Sequence, residues 1–297
     1  MVDRSTAFGL LNVNKPAGPT SHDIVARVRR GTGVRKIGHA GTLDPMATGV
    51  LVLCLGAATR LSEYVMASRK VYRAQVRFGV ETDTYDAEGA VVAARPVSLT
   101  RAAVEAALDR FRGEIEQVPP MYSAIQQGGR RLYDLARAGQ DVPREARPVT
   151  IERLELLAWE PPLATLEVIC SPGTYIRSLA HDLGEALGTG AHLAALERAA
   201  SGRFTVENAV AWDTLEAAMA DGTWARWLLP ADCAVAGLPA LRLDSAQSEA
   251  VRRGLRIPAE DAPEGDALAR AYDETGAFLA VMERQGSHWK PHKVFQT

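Results

Sequence analysis

The sequence predicts an α+β fold, because segments with strand periodicity and segments with helix periodicity both recur along its 297 residues. The clearest strand is residues 71–82 (VYRAQVRFGVET), where polar and apolar side chains alternate with the period of two that gives a sheet one buried face. The clearest helix is residues 98–115 (SLTRAAVEAALDRFRGEI), whose apolar residues recur at helical spacing after a capping Ser or Thr. A hydrophobic fraction of 47% fits one large domain, or one large and one small.

The first elements that the sequence predicts are a short strand, a rigid loop and a helix. Residues 10–13 are mostly apolar, and the Lys-Pro-Ala-Gly-Pro run at 15–19 has the prolines and glycine of a stiff loop. Thr20 or Ser21 can cap a helix over residues 21–33, in which apolar and basic side chains fall on different faces. The loop is therefore expected to be held between two regular elements.

The segment at residues 38–51 (GHAGTLDPMATGVL) combines a stiff turn with a carboxylate. Pro45 fixes its own φ and pushes Asp44 out of the α region. The apolar run at 49–56 predicts a buried strand directly behind this turn. A carboxylate anchored in this way is presented in one pose, as a catalytic group requires. On local features alone, however, a plain turn former is the simpler interpretation of Asp44.

Two polar segments follow in the middle of the chain. Asp83, Asp86 and Glu88 have a spacing that suggests calcium ligands, but the full loop pattern is missing, so we interpret them as turn residues. Residues 121–150 are polar, basic and flanked by Pro and Gly. This composition predicts an arm that becomes ordered on a partner, with a short helix at 131–139.

Two strands and a helix are predicted after the arm. Residues 149–160 and 163–170 have the composition of strands that close a sheet, and a helix is predicted to begin at Thr174. Arg177 lies in the first turn of that helix beside the apolar Ile176. An arginine buried at this position needs an acidic partner.

The composition changes at about residue 238, after which short strands, a helix and an Asp-Glu-Thr-Gly turn predict a smaller β-rich unit. No apolar run reaches the length of about 18 residues that a transmembrane helix needs, and the N-terminus has no continuous apolar stretch of a secretory signal. The three cysteines are interpreted as reduced thiols, and no Cys or His pair has the spacing of a structural zinc site. We therefore expect a cytoplasmic protein without a metal.

The net charge of −2 does not indicate a nucleic-acid binder, but the charge is unevenly distributed. Residues 1–80 hold 12 basic and 4 acidic residues, whereas residues 81–120 hold 4 basic and 8 acidic residues. A basic cluster is usually a solvated surface, yet this one flanks the Asp44 turn and so favours a polyanionic substrate. The flanking basic residues are Arg27, Arg29, Arg30, Arg35, Lys36, Arg60, Arg69, Lys70, Arg73 and Arg77.

The segment VRKIGHAGTLDPMATGVLVLCLG at residues 34–56 closely resembles the catalytic motif of the TruB-type tRNA pseudouridine synthases. The resemblance extends, in the family's order and spacing, to residues 11–25, 68–89, 119–124 and 170–204. It implies a pseudouridine-synthase fold with a mixed, mainly antiparallel central sheet flanked by helices. It also implies a catalytic domain at residues 1–237, which includes the RNA-binding arm at 121–150, and a small PUA-like RNA-binding domain at 238–297.

The function that the resemblance implies is isomerisation of the T-loop uridine of tRNA, position 55, to pseudouridine. This reaction breaks a C–N bond and makes a C–C bond without oxidation or hydrolysis, so no cofactor or metal is expected. Asp44 would be the catalytic carboxylate, acting as nucleophile or as general base, and Arg177 would pair with it and keep it ionised. The implied pocket for a flipped base consists of Tyr72, which would stack on the base, together with Tyr175, Arg177 and Leu196.

For RNA binding, the resemblance implies that His39 fills the space that flipped bases leave in the RNA loop. Lys15, in the stiff loop, is a candidate contact to phosphate or substrate. The candidate phosphate contacts on the arm are Arg130, Arg131, Arg144 and Arg147. The expected partner is the T-arm of tRNA, and the expected protein is a monomer with no membrane contact. Glu197 follows Leu196 where the family often has a basic residue, which argues against a phosphate contact there.

Two other functions remain open at this point. One is an RNA-binding folding factor whose main work is to remodel tRNA, and this role can coexist with the enzyme. The other is a carboxylate glycosidase, which needs a second catalytic carboxyl group. Only Asp44 lies in a recognisable site segment, which argues against the glycosidase.

Overall fold

A large mixed sheet forms the centre of the molecule in the computed structural model, which describes residues 7–123, 126–127, 130–131, 140, 142–259 and 268–295. The first strands, in chain order, are β1 (Gly9–Lys15), β2 (Ile37–His39), β3 (Thr48–Leu55), β4 (Lys70–Phe78), β5 (Val80–Thr82), β6 (Val91–Ala94), β7 (Gly113–Gln117), β8 (Gln126–Gln127), β9 (Arg130–Arg131) and β10 (Arg147–Glu160). They are followed by β11 (Leu163–Cys170), β12 (Ala191–Ser201), β13 (Phe204–Thr205), β14 (Val210–Ala211), β15 (Leu229–Pro230), β16 (Ala240–Arg242), β17 (Ile257–Pro258), β18 (Leu268–Tyr272), β19 (Phe278–Gln285) and β20 (His288–Val294).

The central sheet is mixed and mainly antiparallel, as predicted. Its strands follow one another in the order β14, β1, β3, β12, β4, β11, β10 and β7, with β2 paired to β3, β13 to β12 and β15 to β1. The pairs β1–β14 and β3–β12 are parallel, and the other pairs along this order are antiparallel. The strand β12 lies between β3 and β4, so that its Arg198 is opposite both Gly49 and Tyr72.

In the ranges that the structure describes, six helices pack against the two sheets of the molecule, and four of them cover one face of the central sheet. The six helices are α1 (Ser21–Thr32), α2 (Ser62–Met66), α3 (Arg101–Leu108), α4 (Ile176–Ala186), α5 (Trp212–Ala220) and α6 (Ser245–Arg252). The main core packs α1, α3, α4 and α5 against the sheet through buried residues such as Val28, Leu108, Leu179 and Leu215. Thr20 caps α1 as predicted, because its side chain accepts a hydrogen bond from the amide of Asp23. No helix among the described residues is long and apolar enough to cross a membrane.

The other face of the β1–β3 half is covered by α2 and by a second, smaller sheet. This sheet has the strand order β16, β18, β19, β20 and β17, and so the predicted β-rich C-terminal unit is present. Its Phe278 and Phe295 join a core that includes Leu10 and Val52 of the central sheet. The rings of Phe8 and Phe295 stack with centroids 5.1 Å apart. The domain boundary between residues 237 and 238 stays a prediction.

Three predicted elements have different bounds or lie outside the described residues. The helix predicted over 98–115 ends at Leu108, and Gly113, with a φ of 82°, begins β7 instead, since β7 pairs with β10. The helix predicted from Thr174 begins two residues later, at Ile176. The predicted arm helix at 131–139 lies outside the described residues, apart from the backbone of Arg131.

Candidate active site

Asp44 lies at the turn between β2 and β3 of the central sheet. The turn is closed by the amide of Ala47, which donates to the carbonyl oxygen of Asp44 at 3.1 Å. The next carbonyl, that of Pro45, accepts a hydrogen bond from the amide of Gly18 at 2.9 Å and so connects the turn to the stiff loop after β1. The Asp44 side chain is 31% exposed, which leaves part of the carboxylate accessible to a ligand.

Lys15 binds main-chain oxygens of this turn and of the loop before it. Its ammonium donates to the carbonyl oxygens of Pro16 at 2.9 Å, Pro45 at 3.1 Å and Ala47 at 2.7 Å. The residue is fully buried, so the prediction that it contacts phosphate or substrate is wrong. Burial lowers the pKa of the Lys15 ammonium to about 8, although the nearby charge of Asp44 opposes this shift. Lys15 is therefore an internal clamp on the Asp44 turn.

Arg198 holds the same turn from the side of β12, and sequence reasoning missed it. Its guanidinium donates to the carbonyl oxygens of Val50 at 2.8 Å, Thr42 at 3.1 Å and Gly41 at 3.0 Å. The residue is 2% exposed. The sequence feature that could have indicated a buried role for Arg198 is its position inside a largely apolar strand. Glu197, its neighbour, points outward and pairs with Arg73 at 3.4 Å.

The structure brings Arg177 and Asp44 together in a two-point ion pair. The Nε of Arg177 is 3.0 Å from Oδ2 of Asp44, and its Nη2 is 3.2 Å from Oδ1. The same Nη2 donates to the carbonyl oxygen of Tyr122 at 2.8 Å. Because the Arg177 side chain is only 6% exposed, this ion pair has a fixed geometry and fixes the orientation of the carboxylate.

Asp86 is the second carboxylate on Arg177, and the interpretation of this residue as a turn former was incomplete. Its Oδ2 is 3.4 Å from Nη1 of Arg177, and both side chains are buried. Its Oδ1 accepts hydrogen bonds from the Thr84 hydroxyl at 2.6 Å and the Glu88 amide at 3.1 Å. Two edges of one guanidinium therefore bind two carboxylates, of which only Asp44 is partly exposed.

The electrostatic environment raises the pKa of Asp44. Burial has the largest effect, and the negative charge of Asp86 acts in the same direction. The guanidinium of Arg177 lowers the pKa of Asp44, as predicted, but it does not outweigh the loss of solvation. Arg177 therefore favours the ionised carboxylate, as predicted, while burial and Asp86 set the net direction of the pKa shift.

The residues predicted for a base pocket lie on β4, on β12 and at the start of α4. Tyr72 on β4 is buried opposite Arg198, and burial raises the pKa of its phenol. Leu196 is buried on the neighbouring strand. Tyr175 caps α4, where its backbone exchanges two hydrogen bonds with the Gln117 side chain, at 2.7 and 3.0 Å. Asp44 is close enough to raise the phenol pKa of both tyrosines.

His39 ends β2, on the strand that leads into the Asp44 turn. Its ring packs edge to face on His22, with centroids 5.2 Å apart. Burial lowers the pKa of the His39 imidazole to about 4, and the charges of His22 and Arg198 contribute to this shift. At neutral pH His39 is therefore an uncharged, half-buried ring, which suits packing against bases better than binding to phosphate.

The arm arginines are only partly described. Arg130 and Arg131 form the short strand β9, and their side chains lie outside the described residues. Arg144 donates to the carbonyl oxygen of Pro119 at 3.2 Å. Arg147 is exposed at the first position of β10. Their contacts with RNA stay predictions.

Comparison with known proteins gives two family matches that together span most of the chain. Residues 29–176 match the family model described as "TruB family pseudouridylate synthase (N terminal domain)". Residues 177–236 match the "tRNA pseudouridylate synthase B C-terminal domain".

Whole proteins with closely similar sequences carry a related name. The chain is 46% identical to "tRNA pseudouridine synthase B" of Pseudomonas aeruginosa (strain UCBPP-PA14), over 94% of this chain and 93% of the relative. It is 45% identical to the protein of the same name in Thiobacillus denitrificans (strain ATCC 25259 / T1), over 99% of this chain and 98% of the relative.

Among solved structures, a chain of the "H/ACA RNP bound to a substrate RNA containing 2'-deoxyuridine" matches with a TM-score of 0.76 and 25% identity. The match covers 98% of this chain and 86% of that chain. The comparisons confirm the family resemblance and the fold that the sequence motifs predicted.

Proposed function

Because the chain belongs to the TruB family of pseudouridylate synthases, we propose that it converts the uridine at position 55, in the T-loop of tRNA, to pseudouridine. The names of the relatives support tRNA as the substrate. The observation that carries the proposal is the partly exposed carboxylate of Asp44, held between a rigid turn and a buried arginine. This is the arrangement expected of a catalytic group presented to a bound nucleotide.

In the proposed reaction, Asp44 acts at the sugar as nucleophile or as general base. The bond between C1′ and N1 breaks, the uracil turns, and C1′ forms a bond with C5. The proton that leaves C5 is matched by the proton that N1 gains. No electrons pass to or from another molecule, so the proposal includes no cofactor.

The uridine must leave its stack to reach Asp44, which costs a few kcal/mol. In this proposal, contacts of the flipped base with the buried side chains near the carboxylate offset this cost. Tyr72 would stack on the flipped base, and Leu196 and Tyr175 would form the walls of its pocket. The neutral ring of His39 would occupy the space that the base leaves in the RNA loop.

The proposed RNA contacts lie on three parts of the chain. The arm at 121–150 would hold the T-arm over the site, and residues 238–297 would bind RNA farther from the chemistry. The exposed basic residues around 38–51 would neutralise phosphates; Lys70 is buried against main-chain carbonyl oxygens and is not one of them. Binding of this kind weakens as salt rises, because phosphate contacts release counterions. We further propose that the protein acts in the cytoplasm as a monomer.

A glycosidase is less well supported than an isomerase. Asp86 is the carboxylate that shares Arg177 with Asp44, but the residue is only 3% exposed. Its oxygens are engaged by Thr84, Glu88 and Arg177. A glycosidase needs both carboxyl groups beside the scissile bond, so this arrangement favours a positioning role for Asp86.

The test of the proposed function is a map of pseudouridines in total RNA from cells with and without this protein. We expect a loss at the tRNA T-loop alone when the protein is absent. Loss at a different tRNA position, or in RNAs other than tRNA only, would refute the assignment to position 55.

Replacing Arg198 by Lys is expected to lower kcat roughly 100-fold, the size of effect that a displacement of about 1 Å produces in a catalytic group. A lysine ammonium cannot reproduce the planar fork that binds the carbonyl oxygens of Gly41, Thr42 and Val50, so Asp44 would lose its fixed position. The measurement is steady-state pseudouridine formation on a tRNA transcript. Arg73→Lys, on the exposed side of β4, is the matched control, and equal rates in the two variants would contradict the clamp.

The pH dependence of kcat/KM is expected to show an acid limb above the ordinary aspartate pKa of about 3.9. The folded protein raises the pKa of Asp44, so the carboxyl group remains protonated to a higher pH than usual. Because the ionised form is the active one, activity falls as the pH drops through this raised value. Rates are measured between pH 4 and 8 with circular dichroism as a check on folding, and an acid limb at or below the ordinary value would contradict the raised pKa.

A further inference from the structure

Tyr85 has a backbone conformation that aromatic residues rarely adopt. Its φ is +64°, and among the described residues no other residue besides glycine has a positive φ. This left-handed conformation costs an aromatic residue roughly 1–2 kcal/mol. Strain of this size persists where the surrounding contacts determine the conformation, and such places are often functional.

The side chain of Tyr85 stacks on the ring of His181. The two ring centroids are 4.0 Å apart and the planes are inclined by only 8°. The Nδ1 of His181 is buried and has no hydrogen-bond partner within the described part of the chain. Packing, rather than a hydrogen bond from this nitrogen, therefore fixes the orientation of the imidazole.

Both residues of the stack are connected to the Arg177 site. His181 lies four residues after Arg177 on α4, which places the two side chains one above the other on the same side of the helix. Tyr85 directly precedes Asp86 in the chain. The stack therefore joins the turn that carries Asp86 to the helix that carries Arg177.

Backbone contacts attach the other side of this turn to β12. The carbonyl oxygen of Tyr85 accepts a hydrogen bond from the amide of Leu193 at 2.9 Å, and Asp86 forms an isolated bridge with the same residue. Within the turn, Thr84 and Glu88 bind one oxygen of Asp86 and leave the other directed at Arg177. The Tyr85 ring is thus a second contact between the turn and α4, beside the ion pair of Asp86 with Arg177.

We propose that Tyr85 and His181 are positioning residues for the reaction: their stack locks the Asp86 turn onto α4 and keeps Asp86 on the outer edge of the Arg177 guanidinium. With that edge occupied, the Nε and Nη2 edge faces Asp44 in one orientation. The inference rests on the proposed catalytic role of Asp44, and it adds an aromatic pair that touches no reacting atom.

The test compares variants that remove the stack with one that keeps it. Tyr85→Asn removes the ring but retains a residue type that tolerates the left-handed conformation. His181→Leu removes the flat ring without disturbing the helix propensity of α4, and His181→Phe keeps a flat ring at the same place. The measurements are kcat and KM on a tRNA transcript, with circular dichroism and a thermal melt for each variant.

We expect kcat to fall about tenfold in Tyr85→Asn and in His181→Leu, because the ion pair loosens. KM should stay within about twofold of the wild type, since neither ring is placed against RNA, and His181→Phe should retain nearly full kcat. The double variant Tyr85→Asn with His181→Leu should be no slower than either single variant, because both changes remove the same contact.

Two results would overturn the inference. Wild-type kcat in both folded single variants would show that the stack does not position Asp86. A rise in KM with unchanged kcat would show instead that the rings contact RNA. Failure of the proposed function itself is distinguishable, because then Asp44→Asn would retain activity whatever the result for Tyr85.

Discussion

Replacing Asp44 by Asn is expected to abolish pseudouridine formation, with kcat lowered by a factor on the order of 10⁴ or more. An amide carries no negative charge, so it cannot act as nucleophile or general base at the sugar. It has nearly the same shape as the carboxylate, and its oxygen can still accept a hydrogen bond from Arg177. The pocket should therefore keep its form, and tRNA should bind with an affinity close to that of the wild type.

The experiment measures single-turnover pseudouridine formation and tRNA binding in parallel. Asp213→Asn is the matched control, because Asp213 is exposed in the first turn of α5 and should be replaceable without effect. An unchanged pseudouridine yield in Asp44→Asn would remove the catalytic assignment. The variant also separates the two RNA-directed functions, since a folding factor would still refold misfolded tRNA without this carboxylate.

Replacing Arg177 by Met is expected to lower both stability and activity. The change leaves the carboxylates of Asp44 and Asp86 without their shared cation, and breaking a buried ion pair from one side costs about 3 kcal/mol or more. It also frees the orientation of Asp44, so kcat should fall by a factor on the order of 10² to 10³. Denaturant unfolding measures the first effect, and steady-state turnover on a tRNA transcript measures the second.

Two further variants separate charge from geometry at this position. Arg177→Lys retains the positive charge but not the two-point contact, so it should recover part of the stability and little of the turnover. Arg153→Met removes an arginine whose ion pairs with Glu155 and Glu167 lie at the surface, and it should leave the stability nearly unchanged. An Arg177→Met protein as stable as the wild type would contradict the buried network.

Local sequence patterns predicted the elements well where one rule dominates. The alternation along β4 specifies a strand with one buried face, and Thr20 followed by Asp23 specifies the start of α1. The end of α3 was missed because it is set by pairing between β7 and β10, strands about 35 residues apart in the chain. Propensity for a helix continues past Leu108, but the sheet recruits the following residues.

The sequence predicted the catalytic motif of the site, but it did not predict the hydrogen bonds that hold the motif in place. The Asp-Pro turn and the family resemblance pointed to Asp44 and to Arg177 as its partner. Lys15 and Arg198, in contrast, bind carbonyl oxygens of a turn that lies 30 or more residues away in the chain, and no local pattern encodes such contacts. The spacing around Asp86 indicates only a turn, and its contact with Arg177, 91 residues away in the chain, has no local pattern either.

Lys15 and Arg198 bind main-chain carbonyl oxygens of the Asp44 turn, not its side chains. Side chains of the turn can therefore be substituted without loss of these hydrogen bonds. The side chain of Thr42 is exposed and takes no part in either clamp, so it can be exchanged to change what the rim of the site offers to RNA without relocating Asp44. Gly49 is the opposite case. A Cβ at Gly49 would lie 2.3 Å from the carbonyl oxygen of Arg198, and φ is +97°, so that position admits no other residue. Thr42 in the turn can therefore be varied, whereas Gly49 on β3 is required for the close approach of the β12 backbone.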